Sequence, residues 1–289
     1  MVKAKFLKTM LNNCILNASG ALCETRSQLL YLDKSNLGGI VAKTCTFESR
    51  EGNPEPRYYS KGDVSINSMG LPNLGHEFYI KMSEKLTKPY IVSISPMDLE
   101  KFKEMFDKAS QCDEILAIEV NMSCPNIIGS AQIGYDLEEM EKILKLIGNS
   151  SKQFGLKLPP YFDQFYFQRI STLLEKYGVS FITCINSLGN GLIIDPKTES
   201  VVIKPKEGIG GIGGSIIKPI ALSNIYQFRK ALPPSIEIIG CGGIKTGMDI
   251  FEHILVGATI VQIGTVLVDE NLECVDRLDN ELKDIMKKK

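Results

Sequence analysis

GLKLPPYFDQFYFQRISTLLEKYGVSFITCIN, residues 155–186, contains the unit on which the fold turns. Its two ends, GLKLPP (155–160) and SFITCIN (180–186), are short apolar runs that read as strands. Between them FDQFYFQRISTLLEKY (162–177) has the apolar spacing of an amphipathic helix. The strand runs are continuous rather than alternating, as parallel strands covered on both faces should be. The same alternation continues outward on both sides. Upstream lie ILNASG (15–20), GGIVAKT (38–44), YIVSIS (90–95) and ILAIEVN (115–121); downstream lie IEIIGCG (236–242) and TIVQIG (259–264). Helical patterns intervene, such as DLEEMEKILKLI (136–147) and IALSNIYQFRKAL (220–232). Eight strands alternating with helices predict an α/β fold, a (β/α)8 TIM barrel, as a single domain over residues 1–289. A doubly wound open sheet would need fewer strands or a G-x-G-x-x-G turn after the first strand, and neither is present.

Two stretches break the alternation. Residues 45–72 are rich in Gly, Pro, Asn and Ser. Residues 188–217 contain a predicted hairpin, IIDPKTESVVIKPK (193–206), followed by EGIGGIGG. Loops this long are often functional. They follow the second and sixth strands, which places both on the C-terminal face, where barrel enzymes build their sites.

The composition narrows the function class. Of 289 residues 44% are hydrophobic and 23% charged, with a net charge of −1. There is no basic excess of the kind a nucleic-acid binder carries. The eight cysteines include no CxxC pair, so zinc-ribbon, iron–sulfur and thioredoxin spacings are absent, and no metal is expected. No apolar run approaches the ~20 residues of a membrane span. The first residues, MVKAKFLKTMLNNC, do not form a secretory signal, so a cytoplasmic location with free thiols is expected.

Unusual polar residues collect at the strand ends. These are Asn17-Ala18-Ser19-Gly20, Lys43, Asn121, Lys157, Asn186-Ser187, Gly242-Gly243 and Gly264-Thr265. Lys and Asn ending apolar strands are costly unless something uses them, so several on one rim suggest a bound polar ligand. The glycine-rich turns GCGGIKTG (240–247) and IGTVL (263–267) follow strands seven and eight, where barrels commonly hold a phosphate, and GGIGG (210–214) fits the same use. Any one of these turns alone is better explained by tight chain reversal; together on adjacent strands, they point to phosphate. A buried Lys157 has a physical use beside a phosphorylated heterocycle that gains negative charge on reduction. Alone, Lys43 or Lys157 would more simply be a rim lysine reaching solvent. Six cysteines read as small buried apolar residues, whereas Cys124 follows a strand between Ser123 and Pro125. With His76 and His253 away from the strand ends, a reaction needing a base must use another group, and a thiol can serve. Cys45, two residues past Lys43, is the position for an alternative redox role.

These motifs, in order and spacing, resemble class 1A dihydroorotate dehydrogenase, the soluble fumarate-using form. The resemblance runs from about residue 14 to residue 286 on NASG (17–20), REGNPEPR (50–57), SINSMGLPN (65–73), EVNMSCPN (119–126), GLKLPPYFD (155–163), NSLGNGLIID (186–195), VVIKPKEGIGGIGG (201–214), IGCGGIKTG (239–247) and QIGT (262–265). SINSMGLPN and KLPPYFD favour class 1A over the NAD-linked class. Cys124 and the short stretch before the first strand speak against the membrane-bound class, which uses Ser.

The resemblance implies FMN held by Ala18, Ser19, Gly20, Lys43, Asn121, Lys157, Ile185 and Gly214, with its phosphate at Gly242, Gly243, Gly264 and Thr265. It implies dihydroorotate held by Lys43, Asn67, Met69, Gly70, Leu71, Asn121, Asn126, Asn186 and Ser187. Cys124 would take the proton from carbon five, and hydride would pass from carbon six to the flavin. Fumarate would then be reduced to succinate at the same site by ping-pong kinetics. A homodimer serving de novo pyrimidine (UMP) synthesis is also implied. One departure follows the catalytic segment. The family usually reads Val-Pro-Gly-Lys there, and this chain reads Ile127-Ile128-Gly129-Ser130, which removes a rigid residue and a charge. A same-fold FMN oxidoreductase using NAD or another acceptor, and a non-catalytic flavin-binding protein, are the alternatives.

Overall fold

In the computed structural model, residues 1–123, 132–148 and 150–288 are described. The barrel strands are β1 (Ile15–Asn17), β2 (Ile40–Val41), β3 (Tyr90–Ile94), β4 (Ile115–Asn121), β5 (Phe154–Leu158), β6 (Phe181–Cys184), β7 (Glu237–Cys241) and β8 (Ile260–Ile263). The helices are α1 (Arg26–Asp33), α2 (His76–Met82), α3 (Leu99–Ser110), α4 (Leu137–Ile147), α5 (Gln164–Lys176), α6 (Lys218–Ala231), α7 (Gly247–Leu255), α8 (Thr265–Glu270) and α9 (Glu273–Lys287). The strands run parallel in the order β1-β8-β7-β6-β5-β4-β3-β2. A parallel bridge from Leu16 to Gly39 returns β1 to β2 and closes the ring. The continuous apolar runs are buried throughout, as the covering helices require.

Two of the predicted helices begin where Asp precedes the apolar pattern. The Asp136 carboxylate caps α4 through Glu138 N and Glu139 N, and Asp163 caps α5 through Phe165 N. The predicted strand at 38–44 shortens to β2. Lys43 N turns away to Cys23 O at 3.2 Å, which bends the chain off the ladder before Cys45 N rejoins Ser93 O at 2.9 Å. Asn17 was read as a ligand-facing strand end. Instead, its side chain donates to Val41 O at 2.8 Å and accepts from Val41 N at 2.9 Å, so it fastens the closing seam.

An N-terminal hairpin, Ala4–Phe6 with Thr9–Leu11, precedes the strand expected to come first. Three residues per arm are too few to show a period in sequence. Phe6 packs edge-on against Phe181, the first residue of β6, and Leu7 N donates to Glu237 at the start of β7. The hairpin therefore covers the N-terminal end of the barrel.

At the other end the two excursions form one structure. Leu188–Leu192, Ile209–Gly213, Val64–Asn67 and Tyr58–Lys61 make a four-stranded antiparallel sheet in that order. The central pairing sets Gly211 against Asn67 and Gly213 against Ser65. The predicted hairpin at 193–206 is present as Ile194–Asp195 paired with Ser200–Val201. Among the described residues no helix is long and apolar enough to cross a membrane.

Candidate active site

The C-terminal ends of the barrel strands and the small sheet enclose a cavity of about 410 Å³, within the usual range for small-molecule sites. Ala18, Ser19, Gly20, Lys43, Lys157, Ile185, Gly214, Gly242, Gly243, Gly264 and Thr265 line it. A smaller cavity of about 80 Å³ adjoins it, lined by Lys43, Asn67, Met69, Leu71, Asn121, Asn186 and Ser187. Lys43, Lys157, Asn67, Met69, Asn186 and Ser187 border both, so the two spaces meet at two ammonium groups. Gly70 lines neither. Its φ of +72° permits the turn between Met69 and Leu71, and a Cβ there would strike Asn53.

Bare backbone forms much of the larger cavity's wall. A Cβ on Gly213 would lie 2.7 Å from Ser65 Oγ and 3.3 Å from Thr265 Oγ1, hydroxyls that bond each other at 2.9 Å. Gly243 has φ +79°, and a Cβ would meet Lys218 Cα at 2.4 Å. The loop behind it is fixed by Asp249, whose Oδ2 accepts from Lys245 N and Thr246 N while Oδ1 accepts from Lys218 Nζ at 2.7 Å.

The smaller cavity is organised by linked amides. Asn121 Oδ1 accepts from Ser123 N at 3.1 Å and from Asn186 Nδ2 at 3.3 Å. Asn186 Nδ2 also donates to Ser123 O, and Ser187 N closes on Asn186 Oδ1 at 2.9 Å. Asn67 Nδ2 donates to Gly211 O at 3.2 Å. Lys43 and Lys157 are only 6% and 4% exposed, which rules out lysines extended into solvent. Burial opposes the charge on Lys157, but neighbouring Cys241, Glu119 and Cys23 outweigh it and lift the ammonium above the ordinary lysine range.

A family model described as dihydroorotate dehydrogenase matches residues 1–286. The chain belongs to the dihydroorotate dehydrogenase family. A protein of Streptococcus agalactiae serotype Ia, named putative dihydroorotate dehydrogenase A (fumarate), is 47% identical over 281 residues, 95% of this chain and 90% of its own. Dihydroorotate dehydrogenase (fumarate) of Lachancea kluyveri is 46% identical over 291 residues, 98% of this chain and 93% of its own. A crystal structure of DHODH from Eimeria tenella in complex with ferulenol matches with TM-score 0.79 over 99% of this chain and 84% of that one. At 16% identity that likeness shows the fold alone.

Of the residues expected from the dihydroorotate dehydrogenase motifs, Cys124 and Asn126 lie outside the described residues, as do Ile127, Ile128, Gly129 and Ser130. Cys45, the alternative thiol, is buried and pushed up to about 12 by that burial, and its Sγ bonds to Ser93 O. It is a packed thiol, unsuited to redox chemistry. Sequence reading missed Thr44, Ser123, Tyr58, Ser65 and Gln262, which line the cavities. Thr44 Oγ1 links Ser19 Oγ, Ser93 Oγ and Asn121 Nδ2. The available signal for Gln262 was a polar residue inside an otherwise apolar strand.

Proposed function

We propose that this chain is a single FMN-binding barrel domain that oxidises dihydroorotate to orotate and passes the electrons to fumarate, a step in pyrimidine synthesis. The observation that carries the reading is the pair of adjoining cavities meeting at Lys43 and Lys157, in a chain that shares nearly half its residues with enzymes named for this reaction. The larger cavity fits a flat phosphorylated heterocycle. Its walls are glycine backbone where a side chain would collide, and a buried cation stands at one side. Ala18, Ser19, Gly20, Lys43, Asn121, Lys157, Ile185 and Gly214 would hold FMN, with Gly242, Gly243, Gly264 and Thr265 at its phosphate. Bound there, FMN supplies the acceptor for hydride from carbon six of the substrate.

The chain's own residues do the rest. Asn67, Asn121, Asn186 and Ser187 present amide and hydroxyl groups suited to a ring with amide donors, acceptors and a carboxylate. Lys43, Met69 and Leu71 complete that wall, with Gly70 setting the turn between the last two, and Asn126 belongs to the same set. Lys157 holds a positive charge where negative charge would build up in the reduced cofactor. Cys124 takes the proton from carbon five, the role a thiol of reference pKa ~8.5 can fill once ionised. A cytoplasmic homodimer belongs to the same reading, and sedimentation checks the dimer.

Anaerobic mixing with dihydroorotate tests the function. The flavin absorbance bleaches and fumarate restores it; absence of bleaching refutes the reading. Restoration by NAD and not by fumarate assigns the chain to the other soluble class. Cys124→Ala keeps its FMN and loses most of the bleaching rate at neutral pH, by about 100-fold or more. A parental rate in that variant removes Cys124 as the base.

A further inference from the structure

Beneath the larger cavity lies a row of polar side chains that the proposed chemistry leaves unused. Barrel interiors are ordinarily filled by branched apolar side chains. Here Glu119 of β4, Thr183 of β6 and Gln262 of β8 are each fully buried. Glu119 Oε2 accepts from Thr183 Oγ1 at 2.8 Å and from Gln262 Nε2 at 2.9 Å. The other end of that amide, Gln262 Oε1, accepts from Lys157 Nζ at 3.3 Å. Lys157 and Gln262 line the cavity, and Glu119 stands behind them.

A carboxylate only accepts hydrogen bonds and an ammonium only donates them. Between the two, the Gln262 amide has a single workable orientation, oxygen toward Lys157 and nitrogen toward Glu119. Glu119 Oε1 has no hydrogen-bond partner among the described residues. A buried carboxylate so sparsely bonded needs a nearby counter-charge, and the row leads to Lys157. Burial alone would strip the proton from Lys157, yet Cys241, Glu119 and Cys23 together hold it above the usual range. Burial also raises both thiols, Cys23 to about 11, so they are uncharged near neutrality. Of the three neighbours, Glu119 is the one carboxyl group, and it is the one joined to Lys157 by the Gln262 amide. Lys43, a second cation on the same cavity, works against the Lys157 charge.

We propose that Glu119, acting through Gln262, is the positioning residue that keeps Lys157 charged and aimed at the cavity. The arrangement is made by the chain's own side chains; its use, setting how readily a bound flavin accepts electrons, rests on the function proposed above.

The test reads Lys157 itself, by NMR of its side chain in the full-length protein as purified, titrated through the alkaline range. The parent Lys157 stays charged beyond the ordinary lysine pKa of ~10.4. In Glu119→Gln burial is opposed only by the neighbouring thiols, and Lys157 loses its proton at a lower pH, by about 1 unit or more. Gln262→Met breaks the relay while leaving Glu119 in place, and shifts Lys157 in the same direction. Thr183→Val removes a hydrogen bond of the same kind from Glu119 and leaves the Lys157 titration near that of the parent, which separates charge relay from general loosening. A parental titration in Glu119→Gln or Gln262→Met overturns the proposal. If neither variant folds, the Glu119 carboxyl carbon resonance of the parent decides: a carboxylate at neutral pH upholds the relay, a protonated acid overturns it. Bleaching by dihydroorotate is read separately, so failure of the proposed reaction leaves this titration standing.

Discussion

Asn186 does two jobs at once. It lines the smaller cavity, and its Nδ2 ties down Ser123 O, the last described carbonyl before Cys124. Removing the amide costs a substrate contact and frees the segment leading to the proposed base. Asn186→Ala is expected to keep its FMN and lose about 1–3 kcal/mol, roughly 5- to 150-fold, in the rate of flavin bleaching by dihydroorotate. An unchanged rate with full FMN content would show that Asn186 is only a wall. At this scale much of the site was legible. Lys43, Asn121, Lys157 and Asn186 betray themselves because polar side chains closing apolar strands are costly unless used. The exceptions have physical reasons. Asn17 looks the same in sequence but spends its amide on the barrel seam, and no local pattern tells an amide bound for backbone from one bound for a ligand. Thr44 was silent, and Gln262 showed only as a polar residue in an apolar strand, because their meaning depends on partners 25 to 143 residues away.

The small sheet is the element that sequence reading resolved least. Both excursions were visible, and so was the face they occupy, yet their pairing was not. LGNGL and IGGIG carry too little side chain to alternate, so neither announces itself as a strand. The glycines are there for approach. A Cβ on Gly211 would fall 2.2 Å from Ser187 Oγ, and Gly211 O accepts from Asn67. Gly211→Ala is therefore expected to displace Ser187 and Asn67 and leave the phosphate end alone. Its KM for dihydroorotate should rise roughly 10- to 100-fold with FMN content retained. Loss of FMN instead would mean that the sheet's register supports the larger cavity rather than the smaller. By contrast, α4 and α5 were legible to within two residues at their starts, because Asp136 and Asp163 are capping residues whose signal is local.

For the molecule as a whole, eightfold alternation was enough to read the barrel, since each strand–helix unit repeats the same burial problem. One buried group makes its stability depend on pH. His253 is fully buried, its Nδ1 bonded to Asp249 O while Nε2 has no partner among the described residues. Burial lowers its pKa below the ordinary histidine value, so the folded state prefers the neutral ring. Above the unfolded value of ~6.5 the ring costs nothing; as pH falls through it, the unfolded chain takes up a proton that the folded chain refuses. The protein should lose stability between pH 8 and pH 5, and His253→Gln should lose less over the same interval, measured by thermal unfolding. Equal losses would place the acid sensitivity elsewhere. The larger cavity carries a different consequence. One wall of it comes from barrel strand ends and another from Tyr58, Ser65 and Gly213 of the small sheet with the adjoining Gly214. A guest lodged there acts as a rivet through two plates, adding to the few direct bonds between them, such as Ser65 to Thr265 and Ser60 to Asp269. Whatever keeps the guest also keeps the roof on, so an emptied barrel would keep its ring of strands while its lid comes loose.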